Sequence, residues 1–283
     1  MRNCTICGES HHIIDLIING DEEICNECVA RGVLIRDYSY EPDNMRFYGG
    51  NKNSNALFMG IELEVDMCLA EGKLRNTACV DSNYWYMKHD SSLGRCGVEL
   101  VSHPMTFEFL KRNPEIITNI VYLGYSGVES SSEYNCGLHI HLSKAAFGNY
   151  HLWKFLKFIY KLDNRKFIYF ISERSYECMN LWAKIGGNAR LYGRARSKTQ
   201  LNLDRHHAVN LRRKATVELR IFSGTLDSVK LWSRIEFTHA LYEFTKIVQP
   251  CDLNENSFRK YLKNKACYKN LAQCCLFRGV KCA

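Results

Sequence analysis

The sequence predicts an α+β fold with a mostly antiparallel sheet and helices on one face. Two observations predict it: five strand-like segments alternate apolar and polar residues, and helical stretches lie among them without regular βαβ repetition; a short cysteine-paired segment precedes them all as a separate module. With 283 residues and 46% hydrophobic residues the chain has material for a real core, and four prolines and 18 glycines exclude a collagenous or low-complexity chain.

The cysteine-paired segment comes first. Cys4 and Cys7 form one C-x-x-C pair and Cys25 and Cys28 a second, with 17 residues between the pairs. That spacing fits a four-cysteine zinc site, in which four thiolates complete a closed tetrahedron and the metal is structural. A module spanning residues 1–30 buries little apolar surface, so bound Zn²⁺ would supply its folding energy. His11 and His12 lie inside the loop, and either could replace a cysteine. Six acids against one base give this segment a net charge of −5, which argues against direct phosphate contact. A protein or nucleic-acid partner for the module stays open. Residues 31–56 read as a linker, with turns marked by Pro42, Gly49, Gly50 and an Asn/Ser-rich run over 51–55, and the main domain is expected over 57–283.

Each strand-like segment then places its polar residues on one side. In LFMGIELEVD, Glu62 and Glu64 oppose Ile61, Leu63 and Val65. GVELVS sets Glu99 against Val98 and Leu100, and GLHIHLS puts His139 and His141 on one face. HHAVNLR pairs Asn210 with Arg212, and TVELRIF pairs Glu218 with Arg220. A half-exposed strand ordinarily carries Lys, Thr, Ser and Glu on its wet face. Here the polar positions are short of Lys and Thr and hold the carboxylate and imidazole types that bind divalent cations. Several acids on one face repel one another unless cations sit among them, which predicts Mg²⁺ or Mn²⁺.

Helices supply the second layer. Leu152, Phe155, Leu156 and Ile159 fall at helical spacing in residues 151–162. After Asp227-Ser228, Leu231, Ile235, Leu241 and Thr245 mark a long helix to about Val248, stopped by Pro250.

Charge narrows the function. Residues 151–220 carry sixteen bases against five acids, a net of +11, so an anionic ligand such as phosphate, nucleotide or nucleic acid belongs near them. A solvated basic surface is the alternative. The loop from Gly186 holds Arg190, Arg194 and Arg196 and could close over phosphates; with Asn210 and Arg212 these are the candidate nucleotide-binding residues. No Walker A motif occurs, and no G-x-G-x-x-G follows a strand. Cys136 lacks a base and an oxyanion arrangement, and the C-terminal Cys267, Cys274, Cys275 and Cys282 read as packing thiols. Fourteen cysteines without a secretory signal, and no apolar stretch at the N-terminus long enough for a membrane span, lead to the expectation of a soluble, cytoplasmic chain without membrane contact.

The order GIELEVD, HDSSLG, GVELVSHP, GLHIHLS, HHAVNLR and TVELRIFSGTLD resembles the amidoligases of phages and bacteria, relatives of glutamine synthetase and glutamate–cysteine ligase. The resemblance covers roughly residues 57–248 and leaves the cysteine module outside. It implies a saddle-shaped antiparallel sheet with helices behind it and an ATP-dependent carboxylate–amine ligase activity. By position Glu62, Glu64, Glu99 and Glu218 resemble metal ligands, with His139 favoured over His141 as the imidazole ligand. Arg220 resembles the phosphate-binding arginine, and Asp90 matches a family acid taken here as a candidate base for the amine. The chain departs from the family's usual D-G-S-L by Ser91 and from its Pro pair by His103-Pro104. The implied substrates are small-molecule or peptide amines and carboxylates. Two other readings use some of the same residues: a metal-dependent hydrolase or nuclease, and a non-enzymatic nucleic-acid adaptor.

Overall fold

The alternating segments become strands of one sheet in the computed structural model, which describes residues 1–4, 8–19, 22–25, 35–67, 80, 83–93, 97–131, 135–186 and 206–276. Two hairpins come first: β1 (Arg2–Asn3) pairs with β2 (Ser10–His11), and β3 (Leu16–Asn19) with β4 (Glu22–Cys25), both antiparallel. The remaining strands are β5 (Ile35–Arg36), β6 (Met59–Asp66), β7 (Trp85–His89), β8 (Gly97–Ser102), β9 (Gly137–Ser143), β10 (Val209–Asn210) and β11 (Thr216–Ser223). They form a seven-stranded sheet in the order β10-β11-β9-β6-β8-β7-β5, antiparallel except for the parallel β5–β7 pair.

Parity decides what each face carries. Ile61, Leu63 and Val65 of β6, Leu138, Ile140 and Leu142 of β9, and Val217 and Leu219 of β11 are buried in one core. The helices α1 (Phe107–Arg112), α2 (Glu115–Val121), α3 (Asn149–Tyr160), α4 (Arg165–Ser172), α5 (Tyr176–Trp182), α6 (Ser228–Ile247), α7 (Glu255–Leu262) and α8 (Lys269–Leu276) complete the fold. Leu152, Phe155, Leu156 and Ile159 of α3 enter the core as their spacing requires, together with Leu231, Ile235 and Leu241 of α6. Asp227 caps α6 by accepting the Lys230 N–H at 2.8 Å.

Helix α6 is enclosed almost all round, so its polar residues need partners. Fully buried Glu236 accepts from Lys111 at 3.0 Å, from the Asn270 amide at 2.7 Å and from the Leu271 N–H at 2.8 Å, tying α1 and α8 to α6. At the helix end Lys154 donates to the carbonyls of Lys246 and Val248 at 3.1 and 2.8 Å, which satisfies groups the helix cannot pair itself. No helix among the described residues is long and apolar enough to cross a membrane.

Four local expectations change. The segment read as a linker supplies β5, and Tyr48 exchanges backbone hydrogen bonds with Pro104 and Thr106 at 3.0 Å each, so part of it is bound to the sheet; Ile35 and Tyr48 have core contacts that the surrounding turn residues obscure. Strand β10 stops at Asn210, whose side chain accepts the Arg212 N–H at 3.0 Å and turns the backbone out of the ladder, leaving Arg212 exposed. In β11 a register shift between Leu219 and Phe222 against β9 buries both Ile221 and Phe222, breaking the alternation after Arg220. Cys267 is exposed rather than packed, because the neighbouring Tyr268 takes the buried position on that turn.

Candidate active site

The pairing register brings the polar faces together. Glu62 lies opposite His139 across β6 and β9, Glu64 opposite Glu99 across β6 and β8, and Glu99 opposite Lys88 across β8 and β7. Asn210, Glu218 and His141 form a third row across β10, β11 and β9. These residues line an open cleft of about 970 Å³ together with Asp90, Arg174, Trp182, His206, Arg212 and Arg220.

His139 is the centre of the cluster. Its Nδ1 lies 3.0 Å from Glu62 Oε1 and 3.8 Å from Glu218 Oε1, and its Nε2 lies 3.6 Å from Glu64 Oε1. His141 Nε2 is 3.2 Å from Glu62 Oε2. Glu218 accepts from the Asn210 amide at 2.7 Å and from Arg220. Glu62, His139 and Glu218 each offer an atom within 4.8 Å of the others, and so do Glu64, Asp90 and Glu99. The structure thus gathers every predicted cation ligand, with His139 and not His141 in the first group, and adds Asp90 to the second.

Asp90 follows β7 directly, and its carboxylate accepts the N–H and hydroxyl of Ser92 at 2.9 Å each. Its turn packs closely against Gly97: a Cβ there would come within 2.3 Å of Leu93 Cβ and 2.7 Å of the Asp90 carbonyl. Glycine at this position lets the Asp90 turn rest on β8 beside Glu99.

The electrostatics follow from burial and crowding. Burial opposes the charge of Glu62, yet hydrogen bonds to His139 and His141 outweigh it and hold its carboxyl well below the usual range. Glu218 is also lowered: burial works against it, and the charges of His141, Arg220 and His139 prevail. Glu99 goes the other way, pushed up to about 8 by burial and then by the charge of Glu62, although Lys88 bonds it at 2.8 Å. A cation between these carboxylates removes that conflict. Two carboxylates with one imidazole, beside three carboxylates, form a hard donor set suited to Mg²⁺ or Mn²⁺, so the residues fit such an ion.

Sequence reasoning missed four contributors. Lys88 sits in WYMKH, where Trp85 and Met87 are buried while Tyr86 and Lys88 are not, and that alternation was a usable signal. Trp182 and His206, with ring centroids 5.2 Å apart, stand at the cleft wall. Arg174 follows α4 with no periodic signal at all; it is placed after Glu173, which turns the backbone at φ 51°. Burial lowers the Arg174 guanidinium from its usual range, with Glu64 opposing that shift and Arg220 adding to it.

The remaining predicted residues divide. Cys4 and Cys25 are buried and adjacent, the Cys25 N–H donating to Cys4 Sγ at 3.3 Å, while Cys7 and Cys28 lie outside the described residues. Arg190, Arg194 and Arg196 also lie outside them. Cys136 is buried, and burial pushes its thiol up to about 12, which disfavours the thiolate. No protein-family model matches the chain, and no curated protein sequence matches it.

Proposed function

We propose that this chain is a metal-assisted, ATP-dependent carboxylate–amine ligase, in keeping with its resemblance to the amidoligases. The observation that carries this reading is the pair of three-ligand groups, Glu62/His139/Glu218 and Glu64/Asp90/Glu99, on one sheet face with Arg220 hydrogen-bonded to Glu218.

A carboxylate is a poor acyl donor, and phosphorylation makes it a good one. In the first step a substrate carboxylate oxygen bonds to the γ-phosphorus of ATP as the β,γ P–O bond breaks and ADP leaves. In the second the amine bonds to the acyl carbon, inorganic phosphate leaves and a carboxylate takes the amine's proton. Phosphoryl transfer of this kind depends on positioning and charge neutralisation more than on a protein nucleophile. Mg²⁺ or Mn²⁺ bound by the two ligand groups would supply Lewis-acid neutralisation of the phosphates.

The protein's own residues do the rest. Arg220 has one Nη held by Glu218, and its Nε is buried without an acceptor among the described residues, so the guanidinium retains donor capacity for phosphoryl oxygens. Asn210 fixes the second oxygen of Glu218. Arg212 on the cleft rim adds positive charge for an anionic ligand, as the 187–205 segment would with Arg190, Arg194 and Arg196. Because Asp90 is bonded to Ser92 and grouped with Glu64 and Glu99, its role here is that of a ligand rather than the amine's base.

The N-terminal module is proposed to hold one structural Zn²⁺ through Cys4, Cys7, Cys25 and Cys28. The buried Cys4–Cys25 approach and the N–H···S bond between them support it.

Calorimetric titration of the full chain with ATP tests the ligase reading. Binding should require Mg²⁺ or Mn²⁺ and be lost in E62A and E64A. Cation binding without any nucleotide affinity would favour a metal-dependent hydrolase instead.

A further inference from the structure

Arg174 is a charged side chain in an unusual position. The residue is 8% exposed, its Nε donates to the Phe222 carbonyl at 2.8 Å, and it reaches the cleft floor from the loop after α4. Its Nη atoms have no hydrogen-bond partner among the described residues. Those Nη donors open into the cleft, where a ligand can take them.

Glycine makes room for it. Gly137 is the first residue of β9, and a Cβ there would sit 2.1 Å from Arg174 Nη2, 3.0 Å from Glu64 Oε2 and 3.0 Å from His139 Nε2. The guanidinium therefore occupies the place a side chain would fill, directly beside members of both ligand groups. Anchored at Nε, it cannot swing away without giving up its bond to Phe222. Arg220 stands on the other side of His139, its Nη1 3.5 Å from His139 Nδ1 and its Nε buried without an acceptor among the described residues. The two arginines come from different elements and line the same cleft beside His139, and each has donors to spare.

We infer that Arg174 and Arg220 form a two-guanidinium oxyanion subsite over the candidate cation ligands, which takes a tetrahedral phosphoryl group. The inference rests on the ligase reading for its biological ligand, the transferring phosphate of ATP, but the subsite itself requires only an anion of that shape and charge. Arg174 is assigned a contact with the phosphoryl oxygens. The planar forks of two arginines supply several charge-assisted donors to a tetrahedral dianion, a geometry that lysine cannot reproduce. The like charge of Arg220, which helps to lower Arg174 from its usual range, is relieved when the anion binds.

Orthophosphate and Mn²⁺ serve as probes. Affinity for orthophosphate is measured by calorimetry on the full chain with saturating Mn²⁺, for the wild type, R174A and R174Q, with thermal melting as the folding control. R174Q keeps a donor that can reach the Phe222 carbonyl, so it remains informative where R174A fails to fold. Both variants are expected to lose about 10- to 100-fold in phosphate affinity, the weight of one to two charge-assisted hydrogen bonds. Their Mn²⁺ affinity, measured separately, is expected to stay at the wild-type level or tighten.

Wild-type phosphate affinity in folded R174A or R174Q overturns the subsite, as does a parallel loss of Mn²⁺ affinity, which would mean that Arg174 only holds the acids in place. A wild-type chain without phosphate affinity overturns it too. A wild type that binds orthophosphate through Arg174 but has no affinity for ATP leaves the subsite standing and removes the ligase reading.

Discussion

Replacing Glu99 with glutamine should make the cation-free protein more stable. The Glu99 carboxyl is pushed up from 4.5 to about 8, first by burial and then by the charge of Glu62. At pH 7 the folded chain holds that carboxyl mostly protonated, which costs about 3 kcal/mol, the part of the shift below pH 7 taken at about 1.4 kcal/mol per unit. Glutamine removes the cost and keeps the shape. The 2.8 Å pairing with Lys88 works in the opposite direction and is already contained in that shift. The gain of about 3 kcal/mol corresponds to a rise in Tm of roughly 6–12 °C for a domain of this size. The sign with pH follows. A carboxyl raised in the folded state binds more protons there than in the unfolded chain between pH 4.5 and about 8, so wild-type stability falls as pH rises through that window. The advantage of E99Q should therefore be absent near pH 4.5 and grow toward pH 8. Saturating Mn²⁺ should reverse the order, because the wild type gains by mass action while E99Q has lost a ligand. Differential scanning calorimetry of both chains, in chelator and in Mn²⁺, reads all of this. An E99Q chain less stable than wild type in chelator, or one that gains as much from Mn²⁺, would refute the reasoning.

Three further outcomes are expected. His239 is stacked on Phe107 at 4.1 Å, and burial lowers its imidazole from 6.5 to about 4. It must stay neutral to remain buried, so its contribution is complete above pH 6.5 and disappears as pH falls toward 4, a loss of about 3 kcal/mol by linkage. Urea unfolding of wild type and H239N across that range should show the wild-type slope flattened in the variant, and equal slopes would contradict the assignment. Arg220→Lys should slow single-turnover phosphoryl transfer roughly 10²-fold while changing ATP affinity much less, as for other preorganised electrostatic groups; an unchanged rate would remove Arg220 from the chemistry. Elemental analysis should find one zinc per wild-type chain and none in C25S, and a metal-free wild type with its N-terminal hairpins intact by NMR would rule out the zinc site.

The candidate site was legible where strand parity alone decides which face a residue takes. Glu62, Glu64, Glu99, His139, Glu218 and Arg220 each alternate with buried aliphatic residues, and antiparallel pairing then sets them side by side. Register was not legible. Nothing local says that Glu64 faces Glu99 or that the β11 ladder slips after Leu219, since both depend on which strands meet. Arg174 was invisible for a similar reason: its place depends on Gly137 and on the Phe222 carbonyl, both distant in the chain. The edge strand β5 was hidden by its brevity, because two residues carry no period. Helices α3 and α6 were found because their apolar spacing runs for several turns, and the Asp227 cap was readable from residue type and position.

The central claim is that the cleft couples ATP cleavage to amide formation. Its most direct measurement is ADP release by the full chain with Mg²⁺ and ATP across a panel of amines and carboxylates, followed by mass spectrometry of the product. The account predicts ADP release that needs both a carboxylate and an amine, with a product whose mass is the sum of the two less one water, and no such product from E64A. ADP release that is indifferent to the amine and carboxylate, or hydrolysis of a substrate without nucleotide, would contradict it.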